Sequence, residues 1–311
     1  MALLILSMSG LAVLYSASGG DIASVQKQLI RLSVGFAGLL IFAHIPSDQL
    51  GIGSLWLYLV GVGLLVLVLV LGDIGKGAQR WLDLGFVRFQ PSELMKIWLP
   101  MMMAWYYAKQ PLPPTFKDVL AGLAIVAVPA ALIVQQPDLG TAILVTASGV
   151  FVIFLAGIRF RIIALFAGLL AVAAPALWFY LHDYQRNRIL TLINPESDPL
   201  GAGYHIIQSK IAIGSGELVG KGYLKGTQSK LQFLPKQHTD FVFSNFAEEF
   251  GFLGAVLVIG LYASLAFLGL AASFLSKDGF GMLVAFGMTT MITIQAIINL
   301  GMEMGLLPVW G

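Results

Sequence analysis

Glu93 and Lys96 stand three residues apart in Gln90-Pro91-Ser92-Glu93-Leu94-Met95-Lys96, at the head of an otherwise apolar run. That spacing puts both side chains on one face of a helix, and Pro91 suits the helix's first turn. An ionisable group inside a membrane span costs about 2.5–3.5 kcal/mol on insertion scales, so each is by default a candidate for function. Two readings of the pair are open: a structural ion pair facing a bundle interior, or a cavity wall offering an anionic and a cationic contact to a head group. Asp138 follows Gln135-Gln136-Pro137 and opens another apolar run. A helix dipole alone favours a carboxylate there, and a place in a polar cavity is the alternative. His238 and Asp240 close a long basic loop in Leu234-Pro235-Lys236-Gln237-His238-Thr239-Asp240-Phe241, just before a further apolar run. Polar groups at such a lip can work on a molecule whose head is wet and whose tail is in lipid, or can be a solvated loop end.

Other chemistry falls away. With no cysteine, thiol nucleophiles, disulfides and cysteine metal sites are excluded together. The four histidines His44, His182, His205 and His238 share no ligand spacing, and no His-Glu-x-x-His occurs. Gly214-Ser215-Gly216-Glu217-Leu218-Val219-Gly220-Lys221-Gly222 resembles a phosphate loop but has Ser215 in place of its first glycine and Gly222 in place of its Ser/Thr. Flexible backbone beside Lys210, Lys221, Lys225 and Lys230 leaves two readings, an unspecific diphosphate contact or, as these residues alone favour, a charged solvated turn. Asn245 and Glu248 have capping-box spacing at the start of a helix, so Glu248 and Glu249 read as structural. Glu303, near the end of the last apolar run, has no role assigned by its neighbours.

The elements that must position these groups are membrane helices. Of 311 residues 58% are apolar and 11% charged, with a mean hydropathy of +0.86, whereas a soluble domain carries roughly 25% charged residues. A soluble enzyme, a disordered chain and a coiled coil are excluded, and a net charge of +2 without a dense basic run gives no reason for a nucleic-acid partner. Runs long enough for a bilayer core of about 30 Å are expected near 2–16, 28–45, 55–72, 91–108, 118–135, 139–157, 161–181, 246–274 and 280–303, nine in all. The first run starts at Met1 without a charged leader and the last stops abruptly, so both ends are read as incomplete. Two connections are long: 73–90, with five charges, and 182–245, which holds seven of the eighteen Lys/Arg. Within the second, Ile206, Ile207, Ile211 and Ile213 interleave with Gln208, Ser209 and Lys210 as an interfacial amphipathic helix would. Lys/Arg counts in the short loops, five against four, leave the orientation open.

Several segments together resemble the SEDS family (shape, elongation, division and sporulation), and its RodA branch more than its FtsW branch. The carriers are Leu14-Tyr15-Ser16-Ala17-Ser18, Gly77-Ala78-Gln79-Arg80-Trp81-Leu82, Phe89-Gln90-Pro91-Ser92-Glu93, Gln136-Pro137-Asp138-Leu139-Gly140-Thr141, His238-Thr239-Asp240-Phe241 and the stretch from Asn194 to His205. The likeness runs over essentially the whole chain. It implies an all-α, polytopic transmembrane bundle in the bacterial inner membrane, forming one membrane domain over 1–311. Ten spans are expected in the complete family fold, the tenth beyond Gly311, and 182–245 becomes a large extracytoplasmic loop. It also implies an enzyme that polymerises lipid II, an undecaprenyl-diphosphate-linked sugar, into peptidoglycan strands during cell elongation. A class B penicillin-binding protein and other membrane proteins of the elongation complex are the implied partners. Asp240 resembles the family's essential loop aspartate and is the expected general base. Arg80, Lys96 and Lys210 are expected around the leaving diphosphate, with room for a magnesium or manganese ion. Glu93, Asp138 and His238 complete the expected substrate contacts. A precursor flippase and a non-catalytic scaffold for a cell-wall synthase are the alternatives.

Overall fold

The computed structural model describes residues 1–75, 78–83, 88–180, 186, 190–191, 202–227 and 241–307. Among them helices occupy all nine expected spans: α1 (Ala2–Ala17), α2 (Ile22–Ala43), α3 (Ser47–Leu71), α4 (Pro91–Ala108), α5 (Phe116–Gln135), α6 (Leu139–Leu155), α7 (Phe160–Tyr180), α9 (Val242–Leu275) and α10 (Gly279–Glu303). The amphipathic stretch of the long loop forms α8 (Ala202–Ser215). Among the described residues α2, α3, α5, α9 and α10 are long and apolar enough to cross a membrane. Their starts follow local chemistry. Asp21 accepts the backbone N–H groups of Ala23 and Ser24 at 3.0 and 3.2 Å ahead of α2, and Thr115 and Asp118 form a capping box on α5.

The helices sort into two compact units, one comprising Met1–His44, Pro175–Leu265 and Ala296–Gly311, the other Ile45–Ala174 and Ala266–Gln295. In the second, α3 to α6 surround a buried apolar core that includes Leu65, Met95, Leu99, Met103, Tyr107, Ile133, Val145 and Val152. Between α3 and α4 the charged connection folds into a small antiparallel sheet, β1 (Asp73–Gly75), β2 (Ala78–Asp83) and β3 (Arg88–Phe89), in the order β1-β2-β3. Charge density marks this segment as a connection without revealing the strands, whose register (Leu82 opposite Phe89, Asp83 opposite Arg88) comes from backbone pairing.

In the first unit Val13 of α1 packs with Phe243, Phe246 and Val258 of α9. α8 buries a stripe of Gly203, Ile206, Ser209 and Ala212 while Lys210 and Ile211 are exposed. The expected isoleucine face is therefore only partly right, because the buried stripe includes a polar serine.

α9 is interrupted. Gly251 sits at φ 67°, ψ −165°, a conformation essentially reserved for glycine. A break in a membrane helix strands backbone groups that lipid cannot satisfy, at several kcal/mol each. Here the loop after α8 supplies the partners. Lys221 and Gly222 donate their backbone N–H groups to the Glu248 and Glu249 carbonyls, each at 3.0 Å, while the Phe252 and Leu253 N–H groups donate to the Glu217 and Leu218 carbonyls at 2.9 and 3.1 Å. This approach leaves no room for side chains: a Cβ on Gly216 would meet the Ala247 carbonyl, and one on Gly220 the Glu249 carbonyl. The glycine-rich stretch is thus committed to mending a helix, which corrects its favoured reading as a charged solvated turn.

Candidate functional site

In the first unit the described residues build the support of the segment that carries Asp240. His238 and Asp240 themselves lie outside the described residues. Phe241, directly after Asp240, is 2% exposed, and the His205 ring of α8 lies tilted against it at 6.1 Å between centroids. The next residues open α9, and Glu303 closes their exposed N–H groups. Its carboxylate accepts the backbone N–H of Phe243 at 3.3 Å and that of Ser244 at 2.6 Å, together with the Ser244 hydroxyl at 2.7 Å. Ser209 of α8 donates its hydroxyl to the Glu303 carbonyl at 2.5 Å and lies 2.5 Å from the Ser244 hydroxyl. Glu303, 5% exposed, therefore ties the start of α9 to the end of α10 through its carboxylate and α8 through its backbone carbonyl. Negative charge at a helix start also suits the α9 dipole. Sequence spacing missed this arrangement, because Glu303 is about sixty residues from its partners and its neighbours Met302 and Met304 carry no signal. Glu303 also borders a cavity of about 210 Å³ whose walls include Ser9, Val13, Phe246, Tyr262 and Asn299.

The capping-box reading of Asn245 is corrected by the same geometry. α9 begins at Val242, so Asn245 lies inside the helix, and Glu303 does the capping. Glu248 instead accepts Lys221 Nζ at 2.7 Å, and the Thr227 backbone N–H and hydroxyl at 2.8 Å each. Glu249 accepts the Ser16 hydroxyl of α1. In the loop above them, Tyr223 donates to the Ala12 carbonyl at 3.0 Å. Burial against its surroundings and the nearby Glu249 charge push the Tyr223 phenol above its ordinary range. Lys210 belongs to this unit too. It is exposed on α8, with its stem lying over Gly305, where a Cβ would meet its Cε.

The second unit gathers the remaining expected residues in two groups. Arg80 of β2 donates Nε to the Gln136 carbonyl at 3.2 Å and an Nη2–H to the Pro137 carbonyl, covering carbonyls left open where α5 ends. Asp138, 7% exposed, caps α6 by accepting the Thr141 N–H at 3.2 Å. Its other oxygen accepts Gln90 Nε2 at 2.8 Å. Gln136 is fully buried and donates Nε2 to the Leu65 carbonyl at 3.1 Å. Arg80, Gln90, Gln136 and Asp138 thus lock one turn between α5 and α6, and both glutamines add to the charged residues singled out by type. The second group is Glu93 with Lys96, whose Nζ lies 2.8 and 3.0 Å from the two carboxylate oxygens. Its burial is lopsided: the Lys96 side chain is 8% exposed and that of Glu93 54%. The lysine is held in place by a partner that still faces outward. Among the described residues no group of three or more histidine, aspartate or glutamate side chains converges to hold a metal ion.

A family model covering the proteins FtsW, RodA and SpoVE, described as cell cycle proteins, matches residues 1–311. The chain belongs to this family. It is 46% identical over 312 residues to the peptidoglycan glycosyltransferase MrdB of Escherichia coli K12, covering all of this chain and 84% of that one. The MrdB of Helicobacter pylori 26695 is 38% identical over 92% of this chain and 75% of its own length. Among solved structures, a chain of a peptidoglycan synthase complex matches with a TM-score of 0.82 at 30% identity, covering 99% of this chain and 88% of that one. The rod shape determining protein RodA of Thermus thermophilus matches with a TM-score of 0.72 at 27% identity, over 99% and 84%. The expected polytopic helical membrane fold is therefore the fold of this family, and the chain is a multi-pass inner-membrane protein.

Proposed function

We propose that this protein polymerises peptidoglycan glycan strands from a lipid-diphosphate-linked sugar donor during cell elongation. The observation that carries the reading is its identity of 46% along the whole chain to a protein named peptidoglycan glycosyltransferase. Transfer inverts the anomeric centre in one displacement. The acceptor sugar's 4-hydroxyl oxygen attacks the anomeric carbon, the bond from that carbon to the diphosphate oxygen breaks, and the diphosphate leaves with the bonding electrons. The hydroxyl proton passes to a base on the opposite side of the sugar from the leaving group, as in inverting glycosidases.

Asp240 is the proposed base. An aspartate near its ordinary pKa of about 3.9 is ionised at neutral pH, and general-base assistance contributes about 10²–10⁴-fold. The Glu303 clamp supports this assignment, because it immobilises the backbone three residues downstream. Lys96, Arg80 and Lys210 are the proposed cations for the departing diphosphate, with Glu93 holding Lys96, Asp138 fixing the turn beneath Arg80, and His238 at the loop lip. Among the described residues no group of three or more histidine, aspartate or glutamate side chains converges where a divalent ion could join them. The partner proposed is a class B penicillin-binding protein, supported by the likeness to a chain from a complex that coordinates polymerization and crosslinking.

The test is Asp240→Asn in purified, folded protein supplied with lipid II. Strand synthesis is expected to fall at least 100-fold, and an undiminished polymer yield on a gel would remove Asp240 from the role.

A further inference from the structure

The first turns of α3 and α10 and the end of α4 line a cavity of about 280 Å³ within the second unit. Both α3 and α10 are long and apolar enough to cross a membrane, so a cavity at their ends lies at the bilayer surface. Its floor is open because position 51 is a glycine: a Cβ there would sit 3.8 Å from the Trp105 ring and 3.8 Å from the Phe280 ring. Those two rings pack against the buried core, and a tryptophan at this level suits the aromatic belt of a membrane interface. Ile52, beside the opening, is 71% exposed and continues the apolar wall outward.

Opposite charges stand at the rim and do not meet. Asp48 and Lys109 both line the cavity and both are exposed, yet among the described residues neither forms an ion pair with the other or with a third residue. The Ser47 hydroxyl, beside them, has no side-chain hydrogen bond among the described residues either. Lys109 instead lays its ammonium over the Trp105 ring, 3.8 Å from the centroid. A cation–π contact fixes where the ammonium sits and leaves it N–H groups to donate. The cavity thus presents a positioned cation and, apart from it, a carboxylate, a pair of contacts for one small group that carries both charges.

We propose that this cavity binds the head group of an aminophospholipid, one with a phosphate and a primary ammonium, as in phosphatidylethanolamine. Lys109 Nζ and the Ser47 hydroxyl donate to the phosphate, Asp48 accepts from the ammonium, and an acyl chain leaves past Ile52. The charges select among lipids. Basic pockets between membrane helices hold anionic head groups, but here such a head brings its negative charge up to Asp48, which repels it. A trimethylammonium head cannot donate to Asp48, and the aromatic face that would attract it is already covered by Lys109. A free head group has no chain to follow the apolar exit, so the site is committed to a membrane lipid.

The decisive measurement is native mass spectrometry of the unaltered full chain, released from micelles that hold equal amounts of dioleoyl phosphatidylethanolamine, phosphatidylcholine and phosphatidylglycerol. Phosphatidylethanolamine is expected to be retained about tenfold over either competitor, the factor that one charge-assisted hydrogen bond accounts for. Asp48→Asn is expected to remove that preference, and Lys109→Gln to lower the retention of all three lipids. Both positions are exposed, so the variants are expected to melt in detergent as the unaltered chain does. Equal retention of the three lipids would overturn the site, as would a preference for phosphatidylglycerol. So would a phosphatidylethanolamine preference that survives both substitutions, because it would put the lipid elsewhere. Displacement of the lipid by an equal concentration of glycerophosphoethanolamine would overturn its membrane source. None of these readouts depends on glycan synthesis, so they fail or succeed separately from the proposed activity.

Discussion

Glu303 shows how a single side chain can be central and yet silent in the sequence. It supplies three hydrogen bonds to the first turn of α9, and bonds to a charged group contribute about 1.5–3 kcal/mol each. Glu303→Gln keeps the shape and removes the charge. The rate of strand synthesis is expected to fall about tenfold while KM for lipid II stays within about twofold, because the residue holds the segment next to Asp240 without serving as a ligand. A positioning loss of this kind lowers kcat and kcat/KM together; initial rates across a lipid II titration would decide it, and a pure KM effect would contradict it. The charged residues of the second unit were more legible. Glu93 and Lys96 pair as their spacing requires, and Asp138 caps α6 as its place after a proline requires, since both depend on neighbours within three residues. Arg80 was legible only as a cation: that it covers carbonyls of the α5–α6 turn depends on a sheet that local charge did not announce.

At the level of elements, hydropathy located the nine long apolar helices among the described residues because a span is defined by its own composition. It could not locate the interruption in α9, which is a property of two segments at once. The clue lies in glycines at 216, 220 and 251, positions that only make sense when 217–222 and 248–253 are placed side by side. Substitution separates close approach from mere flexibility. Gly220→Ala would force a Cβ onto the Glu249 carbonyl at a backbone φ of 82°, and is expected to cost about 3 kcal/mol or more, in the range of strained, overpacked sites. Gly214→Ala meets nothing within 4 Å and is expected to be neutral or to gain about 0.5–1 kcal/mol from helix propensity. Thermal melts of both variants in detergent provide the comparison; equal losses would mean that 216–222 is simply a loop.

For the molecule as a whole, composition decides the environment and the family match decides the chemistry. Reconstituted into lipid vesicles with lipid II and no partner, the protein is expected to yield uncrosslinked glycan with newly formed β linkages. Crosslinks should appear only when a class B penicillin-binding protein is added. Recovery of lipid II in the opposite leaflet without any polymer would instead favour a flippase. The mended helix carries one more implication, for biogenesis. Ribosomes deliver residues 217–222 before residues 248–253, so the peptide groups that will plug the gap already exist when the gapped segment reaches the translocon. Had the gene encoded them in the reverse order, bare amides would have entered fat with nothing yet synthesised to meet them.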